Sequence, residues 1–351
     1  MKLYQKLLSV SLTLFLLLSL TACGQSAAVP DQSPASPEAA APEPDQPDAP
    51  ADLPADPVRV RTAALKGPTA MGLVHLMSTP GAERDYDFTL AGSADEVTPA
   101  LIKGDLDVAC VPANLAAVLY NKTEGQIVTL AVNTLGVLYI VENGGESVRS
   151  MADLKGRTIA AAGKGSTPEY SLRYLLEQSG LDPDTDVTVD WKSEHAECVA
   201  AMAAGTADIA LLPQPFVTAA QSKLENLRVA LDLTEEWDAL DNGSALITGV
   251  AVARHAFVEE HPEAVEQFLE AYAESVNWVN SNPAEAAELI AEYGIIDNAA
   301  VAEKALPHCN IVCLTGQEMC EKLSGYLQVL AAAAPEAVGG AMPRDDFFYG
   351  A

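Results

Sequence analysis

The chain carries the same pair of motifs twice, in the same order. Ala63-Ala64-Leu65-Lys66-Gly67-Pro68-Thr69 is matched by Ala161-Ala162-Gly163-Lys164-Gly165-Ser166-Thr167. Further on, Gly104-x-x-Asp107-x-Ala109-x-x-Pro112 recurs with identical spacing as Gly205-x-x-Asp208-x-Ala210-x-x-Pro213. Each copy reads as an apolar strand, a glycine turn and a helix, then a second helix, a strand and a proline. Mostly apolar strands alternating with helices predict α/β lobes built on parallel sheets covered on both faces. Two such lobes facing each other enclose a cleft, and a cleft is where a small molecule is held.

Periodicity and turn chemistry fill in the elements. Val58 to Leu65 reads as a strand, and Gly67-Pro68-Thr69 opens a helix through Met77 with proline near its first turn. Asp95 to Lys103 reads as a helix with Ser93 or Asp95 as cap and Glu96 beside it. Leu106 to Val111, Gln126 to Val132 and Val137 to Val141 are apolar and extended. A second unit follows: a short helix over 147–155, a strand over 158–162, and a helix capped by Ser166 or Thr167 and stopped by Gly180. Strands are expected over 187–191, 209–212, 229–231 and 246–253. A long helix over 263–280 places Val265, Phe268, Leu269, Tyr272, Val276 and Val279 on one face, as core packing requires. Shorter helices finish the chain.

The N-terminus indicates the compartment. Lys2 and Lys6 precede an apolar run from Leu7 to Leu20, which fits a secretion signal rather than a stable membrane span. Leu20-Thr21-Ala22-Cys23-Gly24 resembles the bacterial lipobox, which implies that Cys23 becomes the lipidated first residue of the mature protein. Such a lipid anchors a protein to a membrane surface without spanning it. Residues 24–57 combine Ala, Pro, acids, Gln and Ser with almost no large apolar side chains. They cannot bury enough apolar surface to offset ordering entropy, so an extended tether is expected.

Charge narrows the partners. The chain has 20 Lys and Arg against 49 Asp and Glu, a formal net charge of −29. A surface this acidic repels phosphate backbones, so nucleic acid is excluded as a partner. An anionic ligand would have to be captured by local groups against the overall field. Cys110 in an apolar strand and Cys198 in an alanine-rich helix read as buried small hydrophobes. His308-Cys309-x-x-x-Cys313 leaves three options open: free thiols, a disulfide or a metal site. Paired Cys-x-x-Cys zinc spacing is absent, and no metal is expected. His75, His195, His255, His261 and His308 form no metal-spaced pair.

In open α/β sheets a ligand sits beyond the carboxyl ends of the strands. Here those ends carry Gly67, Pro68 and Thr69; Ser93; Asn114; Asn133 and Thr134; Gly165, Ser166 and Thr167; Ser193; and Gln214. Glycine lets backbone N–H groups approach a ligand, and Ser, Thr, Asn and Gln add donors and acceptors. Helix starts at Thr69 and Ser166 present free N–H groups and partial positive charge, a pair suited to an anionic head group. The plainer reading is that these are ordinary caps and turns. Lys66 and Lys164 occupy equivalent positions and are expected to point to solvent. Aromatic platforms are scarce, with Tyr170, Trp191 and Phe216 the nearest candidates. The ligand expected is a small polar solute carrying a sulfonate- or carboxylate-like group.

Catalytic readings are poor. Gly163 to Thr167 resembles a phosphate loop, but Gly165 intervenes between the lysine and the serine. No Gly-x-Ser-x-Gly elbow is present. No cofactor and no enzymatic activity are expected.

The ordered set of motifs resembles a known family. Lipobox, tether, strand-Leu65-Lys66-Gly67-Pro68-Thr69-helix and the stretch Gly104 to Pro112 are similar to bacterial ABC-transporter substrate-binding proteins. The nitrate/sulfonate/taurine and thiamine-precursor group is the nearest match. Met151 to Ile159, Gly205 to Ala210, Ser244 to Pro262 and Phe268 to Leu289 resemble further segments of that group. The resemblance implies a type II periplasmic-binding-protein fold. Lobe 1 would comprise 58–140 plus 246–351, and lobe 2 would comprise 141–245. It also implies a monomer that closes on its solute and delivers it to a membrane permease with its ATPase. Two alternatives from the same scaffold stay open: a binder of a thiamine-precursor-type heterocycle, and a non-transport receptor or adhesin.

Overall fold

The computed structural model describes residues 58–351; the lipobox at Cys23 and the 24–57 tether lie outside them. In chain order the strands are β1 (Val60–Leu65), β2 (Tyr86–Ala91), β3 (Val108–Pro112), β4 (Ile127–Leu135), β5 (Leu138–Asn143) and β6 (Thr158–Ala162). They continue with β7 (Thr188–Lys192), β8 (Ile209–Pro213), β9 (Leu227–Asp232), β10 (Ile247–Arg254) and β11 (Ile311–Leu314). They form two sheets with orders β11-β4-β10-β3-β1-β2 and β7-β6-β8-β5-β9. The repeat in the sequence is thus a repeat in topology. The run β2-β1-β3-β10-β4 corresponds strand for strand to β7-β6-β8-β5-β9.

The sheets are mixed, which corrects the expectation of parallel sheets. β1 pairs parallel with β2 and β3, and β6 with β7 and β8. β10 runs antiparallel between β3 and β4, and β5 antiparallel between β8 and β9. The reason is the chain path. β4 and β9 end at the face shared by the two sheets, and there the chain crosses over. Each strand that begins at that face, β5 or β10, must run away from it, against its neighbours.

The helix expected from Thr69 to Met77 is split into Pro68–Met71 and Val74–Ser78. At the break, a Cβ on Gly72 would lie 3.0 Å from the side chains of Ile311 and Val276. The chain therefore presses directly on β11 and on the helix Pro262–Ser281. Buried Ser275 satisfies the broken turn: its hydroxyl donates to Gly72 O at 2.7 Å and accepts from Leu76 N–H at 3.0 Å. The short helix expected over 147–155 is a single 3₁₀ turn, Met151–Leu154. On Pro262–Ser281, Val265, Phe268, Tyr272, Val276 and Val279 are buried as the periodicity predicts. One apolar core spans both sheets. In it Trp237 packs between Tyr174, at 4.8 Å, and Tyr326, at 5.5 Å between ring centroids.

Each sheet is pinned by a buried carboxylate at the end away from the shared face. Asp107, 2 % exposed, accepts from Arg61 Nε at 2.8 Å, Arg61 Nη2 at 2.6 Å and Arg254 Nη2 at 2.7 Å. Burial alone would raise its pKa, but the two guanidinium groups pull it below the usual aspartate range. In the second sheet, Glu142 accepts from Ser147, the Val148 N–H and Arg228. Burial opposes ionisation there too, and the hydrogen bonds led by Ser147 win, setting the pKa at about 2. Asp208, at the equivalent place in the second copy of the motif, is exposed instead.

Asp107→Asn should lower the unfolding free energy by about 2 kcal/mol, because Arg61 and Arg254, both in part exposed, lose their charge-assisted hydrogen bonds to the buried carboxylate. Urea denaturation measures this, and a loss under about 1 kcal/mol would contradict the pinning role. Because the folded pKa values are depressed, the stabilisation from Asp107 and Glu142 is complete above the ordinary carboxylate range. For Glu142 it is lost as the pH falls from about 4.5 through about 2.

Candidate functional site

All six parallel strands send their C-terminal turns into one cavity of about 840 Å³ between the two sheets. β1 supplies Lys66, Pro68 and Thr69; β2 supplies Ser93 and Asp95; β3 ends at Pro112. β6 supplies Lys164, Ser166 and Thr167; β7 supplies Lys192, Ser193, Glu194 and His195; β8 supplies Pro213 and Phe216. The crossovers add Thr134, Val137, Leu138 and Thr248. The segment Gly294–Asn298, with Val301, completes the wall.

Of the residues expected from sequence, Pro68, Thr69, Ser93, Thr134, Ser166, Thr167 and Ser193 come together in this wall. Gly67, Asn114, Asn133, Gly165 and Gln214 lie outside it, and each has another task. Gly67 has φ +133°, and its carbonyl accepts from Ala70 and Met71 N–H, opening the one-turn helix. Buried Asn114 donates to Ala337 O at 3.1 Å and accepts from Thr167 Oγ1 at 3.2 Å. Buried Asn133 accepts from Thr134 Oγ1 at 3.0 Å. Gly165 donates its N–H to Glu169 Oε2 at 2.6 Å. Gln214 Oε1 accepts from the Thr218 N–H and hydroxyl.

At three of the helix starts near the cavity a glutamate of the first turn accepts from N–H groups just before the helix, so part of the N–H set that the sequence offers to an anion is already used. Glu96 accepts from Gly92 and Ser93, Glu169 from Gly165, and Glu197 from Ser193. The start at Thr69 belongs to a helix of only four residues.

The hydroxyls are also committed. Thr69 donates to Leu65 O at 2.9 Å, Thr248 to Leu135 O at 2.5 Å, Thr134 to Asn133 Oδ1 and Thr167 to Asn114 Oδ1. A hydroxyl has one proton, so these four threonines keep only lone pairs to offer, and Thr134 and Thr167 are each just 1% exposed. Three of the four, Thr69, Thr134 and Thr248, belong to the first sheet and its crossovers.

Donors concentrate on the wall formed by the second sheet. Lys164, Ser166, Lys192, Ser193 and His195 all follow β6 or β7, and Lys223 lies beyond the helix Phe216–Gln221. Lys192 is held by Asp190 at 2.7 Å. Lys66 and Lys164, expected to face solvent, are exposed yet stand on the cavity rim. The wall carries four lysines against Asp95, Glu194 and Asp297, so it is less acidic than the chain as a whole. Phe216 lies in the wall beside His195, with ring centroids 5.3 Å apart. Tyr170 and Trp191 are not part of it.

Sequence reasoning missed His195, Lys192, Lys223 and the Gly294–Asn298 segment. The placement of His195 three residues beyond β7, at a helix start, was the available signal. The cysteines Cys110, Cys198, Cys309, Cys313 and Cys320 are free, with the first three buried.

The fold is that of ABC-transporter binding proteins. It superposes on an ABC transporter protein from Parabacteroides distasonis with a TM-score of 0.70 at 24% identity, over 83% of this chain and 98% of that one. The periplasmic aliphatic sulphonate binding protein SsuA from Escherichia coli gives a TM-score of 0.67 at 19% identity, over 84% and 92%. A protein of Brucella abortus named only as a binding protein is 25% identical over 237 residues, 66% of this chain and 70% of its own. The NMT1-like family model matches residues 85–294, and the chain belongs to that family.

Burial lowers the His195 pKa to about 4, from an ordinary 6.5. As the pH falls through that window, the unfolded chain takes up a proton that the folded chain refuses, so stability drops. The melting temperature of the parent should therefore fall more between pH 6.5 and 4 than that of His195→Gln. Calorimetry that finds equal slopes would show that the ring titrates freely.

Proposed function

We propose that this chain is the extracytoplasmic solute-binding component of an ABC importer. It would capture a small polar organic anion between its two lobes, 58–140 plus 246–351 and 141–245, and deliver it to a membrane permease with its ATPase. The observation that carries the reading is the convergence of six parallel strand ends on one cavity where lysines outnumber carboxylates. The anion-bearing end of the solute, sulfonate- or carboxylate-like, would rest against Lys164, Ser166 and Lys192. The lone pairs of Thr69, Thr134 and Thr248 would meet its donor or neutral part. Val137, Leu138 and Ile295 would cover an apolar body. The chain would act as a monomer, held at the outer face of the cell membrane by a lipid on Cys23. Among the described residues no helix is long and apolar enough to cross a membrane, in keeping with an anchor of that kind.

Binding of a thiamine-precursor-type heterocycle is the second reading. It is favoured by the adjacent rings of Phe216 and His195, which offer a face for stacking.

A thermal-shift screen of alkanesulfonates, carboxylates and uncharged heterocycles tests the solute class. A true ligand at a hundred times its Kd stabilises the fold by about 2.7 kcal/mol. Stabilisation by heterocycles alone would overturn the anion reading. Ser166→Ala should weaken binding of the identified anion by about 1 kcal/mol, through a lost hydrogen bond. Thr69→Val should change it less, because the Thr69 proton is spent on Leu65 O. Small-angle scattering should show a smaller radius of gyration with ligand, and an unchanged radius counts against closure. For the anchor, Cys23→Ser should leave the protein released or unprocessed; normal membrane fractionation of this variant would reject lipidation.

A further inference from the structure

His195 is half-buried in the wall of the cavity, at the first position of the helix His195–Ala203. Its two ring nitrogens have different surroundings. Nδ1 is fully buried and meets no hydrogen-bond partner. That leaves Nε2 as the nitrogen on the accessible side of the ring. A neutral imidazole carries one N–H and one lone pair, and the tautomer follows the partners available. A proton on Nδ1 would be a buried, unsatisfied donor, which is costly. A proton on Nε2 is satisfied by water or by a ligand, and only a lone pair is then buried. A doubly protonated ring would bury the same unsatisfied N–H together with a charge.

From this geometry we infer that His195 is a specificity-determining residue, a neutral donor fixed as the Nε2–H tautomer and aimed at an acceptor oxygen of the solute. The inference rests on the cavity being the solute site. Lysine ammonium groups attract any anion without regard to shape, and the N–H groups of Ser93, Gly165 and Ser193 are taken by Glu96, Glu169 and Glu197. His195 therefore adds a directional element on the donor-rich wall, beside the freely rotating hydroxyls of Ser166 and Ser193. It selects solutes whose head group keeps an acceptor oxygen beside the Phe216 ring, and it disfavours those that present an N–H there.

The tautomer is read on the ligand-free full chain in detergent, from long-range ¹H–¹⁵N correlation spectra with the His195 signals assigned by their loss in His195→Gln. The expected pattern has the proton on Nε2. Ethanesulfonate and butyrate then serve as probes in calorimetric titrations. His195→Phe should weaken whichever probe binds by roughly tenfold, about 1.4 kcal/mol. His195→Gln, whose amide can place an N–H near the Nε2 position, should stay within about threefold of the parent, a difference well under 1 kcal/mol. A proton found on Nδ1, or probe binding by His195→Phe equal to the parent, overturns the inference. If the parent binds neither probe, the anion reading falls and the donor role toward an anion falls with it. An Nε2 proton in the free protein would even then uphold the fixed-donor assignment.

Discussion

A carboxylate with almost no access to water, held between two guanidinium groups, sets the geometry of the first sheet. Asp107 stands at the start of β3, Arg61 on β1 and Arg254 at the end of β10, so one charge cluster fastens three adjacent strands at one end. Two positive groups around one negative group satisfy the desolvated carboxylate, where a single partner would leave lone pairs empty. Because the bottom of the sheet is fixed in this way, the opposite ends of β1, β2 and β3 arrive at the cavity in a set register. Glu142 and Arg228 do the same for the second sheet, with Ser147 and Val148 closing the remaining lone pairs. Charge is thus concentrated and neutralised at the far ends, which leaves the cavity ends free to carry small polar turns.

The cavity is built by subtraction as much as by addition. Groups that look available in a list of turns are mostly spent inside the protein: threonine protons on carbonyls, glycine N–H groups on glutamates, the Asn114 amide on Ala337 O. What remains is a few unspent donors on one wall and lone pairs on the other. That division gives the cavity two unlike walls.

Much of this was legible in the sequence, and the failures have physical causes. The duplicated motifs announced two matching α/β halves, since a strand-turn-helix unit leaves a strong local signature. The seven turn residues Pro68, Thr69, Ser93, Thr134, Ser166, Thr167 and Ser193 were identifiable because strand ends in such sheets point to one face. The mixed strand direction was not legible, because direction depends on which sheet a strand joins. The break at Gly72 depends on contacts with Ile311 and Val276, more than two hundred positions away in the chain. The commitments of Asn114 to Ala337 and of Thr167 to Asn114 are equally non-local. Glu96 beside Ser93 did carry a readable capping pattern. That this cap lies at the cavity, with the Gly92 and Ser93 N–H groups already used, needed the structure to be seen.

The exchange of strands between the halves has a consequence for how this molecule can be made. β5 is the middle strand between β8 and β9 but is reached directly from β4, and β10 is the middle strand between β3 and β4 but is reached from β9. Each half therefore receives an interior plank from the other's side of the chain, between flanking strands that would otherwise have no partner across the gap. Neither half is complete as one continuous stretch of chain. The same thread that completes the sheets also runs twice past the cavity, through Thr134 and Val137 on one pass and Thr248 on the other. The sheets and the cavity therefore share a pair of covalent links, and a change of length in either link would be felt in both.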